Sequence, residues 1–371
     1  MFVQSSWGKH IVYSLFGESH GPMIGITLHH LPAGIKIDME AIKKDMSRRR
    51  PGKNKYSTPR NEKDQFEIVS GMLEGYTTGA PLTALIHNTD QRSRDYSKVK
   101  SKMRPSHADY AAYVKYKGHN DYRGGGHFSG RLTAPIVFAG GIAKQLLMAR
   151  GIQVKGRIAS IGPVKDADLD QTSSTLISTI KGETFPLVDQ SLEESMKEVI
   201  DKARMDLDSV GGAIDVVAVN VPAGLGEPFF NSVESTLSHL FYSIPAVKMV
   251  AFGSGMQLPF MRASEANDAI MYKDGAVRTL SNHNGGVTGG ITNGMPLIAR
   301  LHIKPTPTID QDQKMIDIEN KENIVDHIEG RHDPCIVPRA VPVAEAMMAM
   351  GLVELVADEK WTERWCPDDT Y

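Results

Sequence analysis

The stretch Phe16-Gly17-Glu18-Ser19-His20-Gly21-Pro22-Met23-Ile24-Gly25-Ile26-Thr27-Leu28 decides how the chain folds near its start. Gly17-x-Ser19-x-Gly21 fits a nucleophile elbow, a strained turn that passes from a strand straight into a helix. The residues after Gly21 are β-branched and apolar, and they read as a strand instead. Two strands, 10–16 and 23–30, are therefore expected on either side of a tight loop. A histidine flanked by glycines on such a loop is well placed to move a proton, so His20 is favoured over Ser19 as the working residue. A serine hydrolase acting through Ser19 is the second reading, and a plain glycine hairpin is the structural alternative.

Beyond this hairpin, Asp38 is placed to cap a helix that runs to the arginines at 48–50 and stops at Pro51-Gly52. Ser106 and Asp109 have the spacing of a capping box, predicting a helix over Tyr110, Tyr113 and Val114 that closes at Gly118. A second, apolar helix is predicted from Ser129 or Pro135 to Arg150, with Gly151 just past its end. Strands are expected at 152–161, 213–221, 246–252 and 297–303, and a polar helix at 191–208. A helix near 338–350 carries Ala and Met on most faces and should be buried. The order mixes α and β without regular alternation, and no linker breaks it, so one domain over 1–371 is expected.

At 371 residues and 41% apolar content the chain can bury a large core, and its net charge of −2 offers no basic field for nucleic acid or membrane. Cys335 and Cys366 form neither a disulfide framework nor a zinc pattern, which fits a reducing cytoplasm. The N-terminus has no secretory h-region, and no stretch is expected to supply the roughly 18 apolar residues of a membrane span. There is no HExxH, CxxC or calcium-loop pattern, so no metal site is assigned.

Several clusters point to anions. Arg48, Arg49, Arg50, Lys53, Lys55 and Arg60 place six cations in thirteen positions, more than a helix C-terminus needs to complement its dipole. Arg104-Pro105-Ser106-His107 puts His107 in the first turn of its predicted helix, where the positive helix end favours a neutral imidazole. An ordinary polar residue at a helix start is the alternative there. Asp121-Tyr122-Arg123-Gly124-Gly125-Gly126-His127-Phe128-Ser129-Gly130-Arg131 offers bare backbone to a phosphate or flavin, but it is no P-loop. Asn284-Gly285-Gly286-Val287-Thr288-Gly289-Gly290, followed by Lys304-Pro305-Thr306-Pro307-Thr308, reads either as hairpin turns or as a surface for a planar ring. Arg331-His332-Asp333-Pro334-Cys335 sets an acid beside a base just before the last helix. The glycine patches alone would also suit a non-catalytic flavin- or anion-binding protein.

In order and spacing these motifs, with Asn88-Thr89-Asp90-Gln91-Arg92-Ser93 between them, resemble the chorismate synthase family nearly end to end. The resemblance implies an α/β fold of the α+β kind, a sandwich of helices between antiparallel sheets, assembled as a homotetramer. It implies a phospho-lyase that makes chorismate from 5-enolpyruvylshikimate 3-phosphate by 1,4-anti elimination. Reduced FMN is needed without net oxidation, and no extra domain is present to reduce it, so an external flavin reductase is expected to supply it. By resemblance His20, His107 and Asp333 are catalytic. Arg49, Arg50, Lys55, Arg60, Arg104, Arg131 and Arg331 meet the substrate's carboxylates and phosphate. The flavin is met by His127, Phe128, Ser129, Pro245, Ala246, Gly289, Lys304, Pro305, Thr306, Pro307, Thr308 and again Arg331. Many members carry Arg-Ser-Ser where this chain has His127-Phe128-Ser129, and Gly where it has Ser106. A histidine at 127 meets a phosphate as a cation only when protonated, which would make flavin affinity pH-dependent.

Overall fold

The computed structural model describes residues 5–52, 64–89, 100–273, 275–327 and 332–358. The opening hairpin forms as expected. β1 (Ser6–Trp7), β2 (Val12–Gly17), β3 (Met23–His29), β4 (Phe66–Ser70) and β5 (Leu82–His87) build one antiparallel sheet in the order β1-β2-β3-β5-β4. Its inner face is set by alternation: Ile24, Ile26 and Leu28 on β3 and Leu82, Ala84 and Ile86 on β5 are buried. On the outer face Thr27 and Thr83, direct partners across the two strands, join their hydroxyls at 3.0 Å.

A second antiparallel sheet contains β6 (Gln153–Ile161), β7 (Val164–Lys165), β8 (Gly212–Val219), β9 (Val247–Phe252) and β10 (Leu297–Ile303), in the order β7-β6-β8-β10-β9. Ala213 to Val219 are buried without alternation because both faces are covered. Helices lie on one side, and on the other Leu176 and Ile180 pack against Val217, Val219 and Ile298. Within this sheet Asp215 stands opposite Arg157 on one neighbouring strand and Arg300 on the other, and bonds both.

Between the sheets lie α1 (Met39–Arg49), α3 (Thr133–Met148), α5 (Val233–Tyr242) and α6 (Val337–Ala357), with α2 (Asp109–Tyr116) and α4 (Glu193–Met205) outside this layer. Asp38 caps α1 by accepting from the Glu40 and Ala41 amides at 2.9 and 3.1 Å. α3 and α6 cross so closely that a Cβ on Gly140 would run into Ala346. α6 is long and apolar enough to cross a membrane by length and composition, contrary to the expectation from sequence that no stretch would be. It is instead the middle of the sandwich, buried along its length except at Pro338 and Arg339, which are partly buried. It also runs seven residues beyond the predicted 350, through Gly351.

One expectation needs correction here. α2 starts at Asp109 with Ala108 as its N-cap and no side-chain cap, so Ser106 and Asp109 form no capping box. Ser106 sits at φ 58°, a left-handed backbone that glycine adopts more easily. Asp109 is engaged by Arg104, as described next.

Candidate active site

The Glu18–Gly21 loop is a tight turn closed by the Gly21 amide donating to the Glu18 carbonyl at 3.1 Å. Ser19 and His20 within it are buried, and their Oγ and Nδ1 lie 3.1 Å apart. No helix follows, so the elbow geometry required by a nucleophilic Ser19 is absent from this loop. The triple-glycine turn closes over it. The Ser19 amide donates to the Gly126 carbonyl at 3.0 Å, and all three glycines have positive φ. A Cβ on Gly124 would collide with the His20 ring.

The arginines sort into different roles. Arg48, counted in sequence among the anion-gripping residues, is taken up by the α-helical layer: its Nη1 and Nη2 reach Glu345 at 2.6 and 2.8 Å. Arg49 turns the other way and bonds Asp64 at 2.6 Å, Thr133 Oγ1 at 3.1 Å and the Gly130 carbonyl at 3.3 Å. Arg131 bonds the other oxygen of the same Asp64 and, through Nε, the Asn88 Oδ1 at 3.1 Å. Burial alone would raise the Asp64 pKa, but Arg49 and Arg131 outweigh it and hold the carboxyl below its usual range. Arg50 Nε is buried with no hydrogen-bond partner among the described residues. Lys55, Arg60 and Arg331 lie outside the described residues.

Asp333 is buried and paired with Arg339, whose Nε donates to the Arg49 carbonyl at 3.0 Å. One run of contacts thus joins Asp333, Arg339, Arg49, Asp64, Arg131, Asn88 and the loop that carries His20. Cys335, two residues from Asp333, is an inert thiol, pushed by burial up to about 12.

A second group of motifs meets beside this run. Arg104 closes its fork on Asp109 at 2.7 and 2.8 Å. His107 lies before α2 and not in its first turn. Its Nδ1 donates to the Pro105 carbonyl at 3.0 Å, so in the neutral ring Nε2 accepts from Thr308 Oγ1 at 2.6 Å. Burial first and the Arg104 guanidinium second bring its pKa down to about 4. The expected neutrality is therefore present, with desolvation as its cause. Lys304 Nζ donates to the Ser106 carbonyl at 2.9 Å. Ser209 Oγ bonds the Thr306 carbonyl at 2.6 Å and the next amide, Val210, bonds the Pro334 carbonyl at 2.8 Å, tying the 304–308 segment to Asp333. Arg104 and Tyr122, which stands two residues before the triple glycine, line one cavity of about 50 Å³.

The remaining flavin candidates divide. Gly289, at φ 64°, has open space where a Cβ would stand, and Thr306 Oγ1 is buried with no hydrogen-bond partner among the described residues. Ala246 takes φ 74° and accepts from the Lys304 amide at 3.0 Å, with Pro245 just ahead of it. Phe128 is exposed and meets Tyr116 with ring centroids 6.1 Å apart, and Ser129 caps the turn into α3. His127 departs from expectation. Its Nδ1 lies 2.8 Å from the Gly17 carbonyl and its Nε2 3.0 Å from Ser5 Oγ, so both nitrogens face β2 and the N-terminal segment. In this geometry the ring offers neither nitrogen to a phosphate.

Asp64 and Arg339 were not foreseen, because a single carboxylate or guanidinium carries no local pattern. The larger cavity, about 900 Å³ around Lys155 and Lys181, is lined by Arg48 and Glu345 and by none of the other residues of these motifs. Lys155 there caps the Ile180 carbonyl at 2.7 Å.

The model of the chorismate synthase family matches residues 11–357. The chain belongs to the chorismate synthase family. Chorismate synthase of Thermococcus gammatolerans is 46% identical over 355 residues, covering 95% of this chain and 98% of that one. The chorismate synthase of Pyrococcus abyssi is 46% identical over 349 residues, covering 94% and 96%. A crystal structure of a chorismate synthase superposes with a TM-score of 0.77 at 26% identity, over 97% of this chain and 96% of that one. Membership carries the activity: a carbon–oxygen lyase that releases phosphate and forms chorismate in the shikimate pathway, acting on a small molecule in a family that needs flavin.

Proposed function

We propose that 5-enolpyruvylshikimate 3-phosphate is bound along the run of contacts from Asp333 to His20 and undergoes 1,4-anti elimination there. The observation that carries this reading is Asp64, a protein carboxylate gripped by two buried guanidinium groups where a substrate anion is called for. Arg49, Arg50, Arg104 and Arg131 take the carboxylates and phosphate, with Lys55, Arg60 and Arg331 completing the set. Removing one such arginine from a closed site would cost about 2–5 kcal/mol in binding.

In this reading His20 gives a proton to the departing phosphate, whose charge must be neutralised as the C–O bond breaks. Gly124 keeps the imidazole in place and Ser19 hydrogen-bonds its Nδ1. The second motif group suits reduced FMN. Lys304 supplies a cation, Thr306 an unsatisfied hydroxyl, Gly289 bare backbone, and Pro245, Ala246, Pro305, Pro307, Phe128 and Ser129 the remaining wall. When bound, the reduced flavin supplies electron density to the ring that loses phosphate. His107, neutral, fixes Thr308 and the 104–109 loop, and Asp333 is the nearby base that assists removal of the ring proton. Reduced flavin comes from an external reductase. The chain works as one domain over 1–371 in a homotetramer, and the exposure of Phe229, Phe230, Phe260 and Tyr272 supports such an assembly.

The test is anaerobic. Purified protein, dithionite-reduced FMN and the substrate should release phosphate, and His20→Ala should release it far more slowly while binding FMN as before. Wild-type turnover in His20→Ala would remove His20 from this role.

A further inference from the structure

Asn88 is the residue at which the His20 loop and the substrate arginines meet. It directly follows β5, and its side chain makes three hydrogen bonds among the described residues. Nδ2 donates to the Glu18 carbonyl at 3.0 Å and to the Gly21 carbonyl at 2.8 Å, while Oδ1 accepts from Arg131 Nε at 3.1 Å. Its backbone amide donates to the Pro22 carbonyl at 3.2 Å. Both ends of the loop are thus clasped, with Ser19 and His20 between them.

We infer that Asn88 is a positioning residue that sets the distance between His20 and Arg131, so that one amide aligns the proton donor with the cation that receives the phosphate. The inference rests on the proposed role of His20. The chemistry selects this side chain. A primary amide combines two donors and an acceptor in one plane. Aspartate has the same shape but turns two lone pairs toward the Glu18 and Gly21 carbonyls. Glutamine adds a methylene that two fixed carbonyls and a paired guanidinium leave no slack to absorb. The turn itself cannot hold the loop in register with Arg131, because its own closing bond, from Gly21 to Glu18, is internal. A structural hydrogen bond would hold up the fold and leave the chemistry alone. This one joins two groups that act on the same leaving phosphate.

The experiment measures steady-state turnover against pH for wild type, Asn88→Ala, His20→Ala and the double variant, with reduced FMN and substrate. Thr27→Ala, which removes a hydroxyl bond on the outer face of the same sheet, is the structural control. Asp121, Glu18 and Arg123, the charged groups around the loop, stay in place throughout. Asn88→Ala is expected to lower kcat about 10- to 100-fold and to move the limb of the pH profile that His20→Ala abolishes. In the His20→Ala background the same change should cost little more, because the group it positions is already gone. Thr27→Ala should leave the pH profile where it is. A folded Asn88→Ala whose pH profile superimposes on wild type, or losses that multiply in the double variant, would overturn the inference. Should Asn88→Ala not fold, the isosteric Asn88→Asp, which loses both donors, carries the same comparison. Full activity in His20→Ala would instead overturn the His20 reading, and it shows without any Asn88 variant.

Discussion

Gly124 has no side chain because the His20 imidazole occupies the space a Cβ would need, and its φ of 57° is strained for any other residue. Gly124→Ala is therefore predicted to move His20 and lower kcat about 100-fold. It should cost only about 1–2 kcal/mol of stability, with urea midpoints measured alongside turnover. The glycine run was legible in sequence as bare backbone, but its reason was not, since an imidazole 104 positions earlier in the chain leaves no local trace. His107 gives a prediction with a definite sign. An unperturbed histidine titrates near 6.5, whereas His107 in the fold is brought down to about 4. Between those values the unfolded chain takes up a proton that the folded one refuses, so stability is full above about pH 6.5 and falls as pH drops through the window. The Tm advantage of wild type over His107→Asn should be smaller at pH 5 than at pH 7. A gap that does not change with pH would contradict a neutral His107.

At the scale of elements, the middle layer is fastened by one carboxylate. Glu345, buried within α6, accepts from Arg48 of α1 at 2.6 Å, Lys144 of α3 at 2.8 Å and the Gly156 amide of β6 at 2.8 Å. Burial raises its pKa, but Lys144 and Arg48 outweigh that and keep it ionised far below the usual range. Glu345→Gln would leave Arg48 and Lys144 sharing Asp45 as their remaining carboxylate, so one positive charge inside the sandwich loses its counter-charge. The expected loss is about 3–5 kcal/mol, seen as a lower urea midpoint with an unchanged slope. None of this showed in the sequence, where Arg48 reads as one of a run and Glu345 as one polar residue in an apolar helix. Periodicity did find the elements. β10 came out at 297–303 as predicted, and Asp38 caps α1. The misses have physical causes. Gly351 looks like a stop, yet α6 continues because Leu352 to Ala357 are buried and Leu237 packs into the space beside the glycine. Ser106 and Asp109 have capping-box spacing, but the Asp109 carboxylate is taken by Arg104, through both its guanidinium and its backbone amide.

Across the whole molecule, the His20 loop, Asn88, Arg131, Arg49 and Asp333 are joined by one run of contacts, and their order and spacing resemble one family in the sequence. The residues that join them were not legible there: Asp64, between Arg49 and Arg131, and Arg339, between Asp333 and the Arg49 carbonyl, stand alone in sequence. The neutrality of His107 was read correctly for the wrong reason, and the inward turn of His127 was not foreseen because its partner, Ser5, lies 122 positions away. The position of α6 has a consequence for how the protein is made. The helix that covers the inner face of the second sheet, against β6 and β8, is Val337–Ala357, which follows in the chain every strand it covers. Until it emerges, Ile214 and Val216 of the second sheet lack that cover, whereas Ile24 and Ile26 already face α3, so the nascent chain travels with one half of its core open. A ribosome stalled before residue 337 therefore holds a chain that chaperones will bind and proteases will cut. The same chain one helix longer is neither.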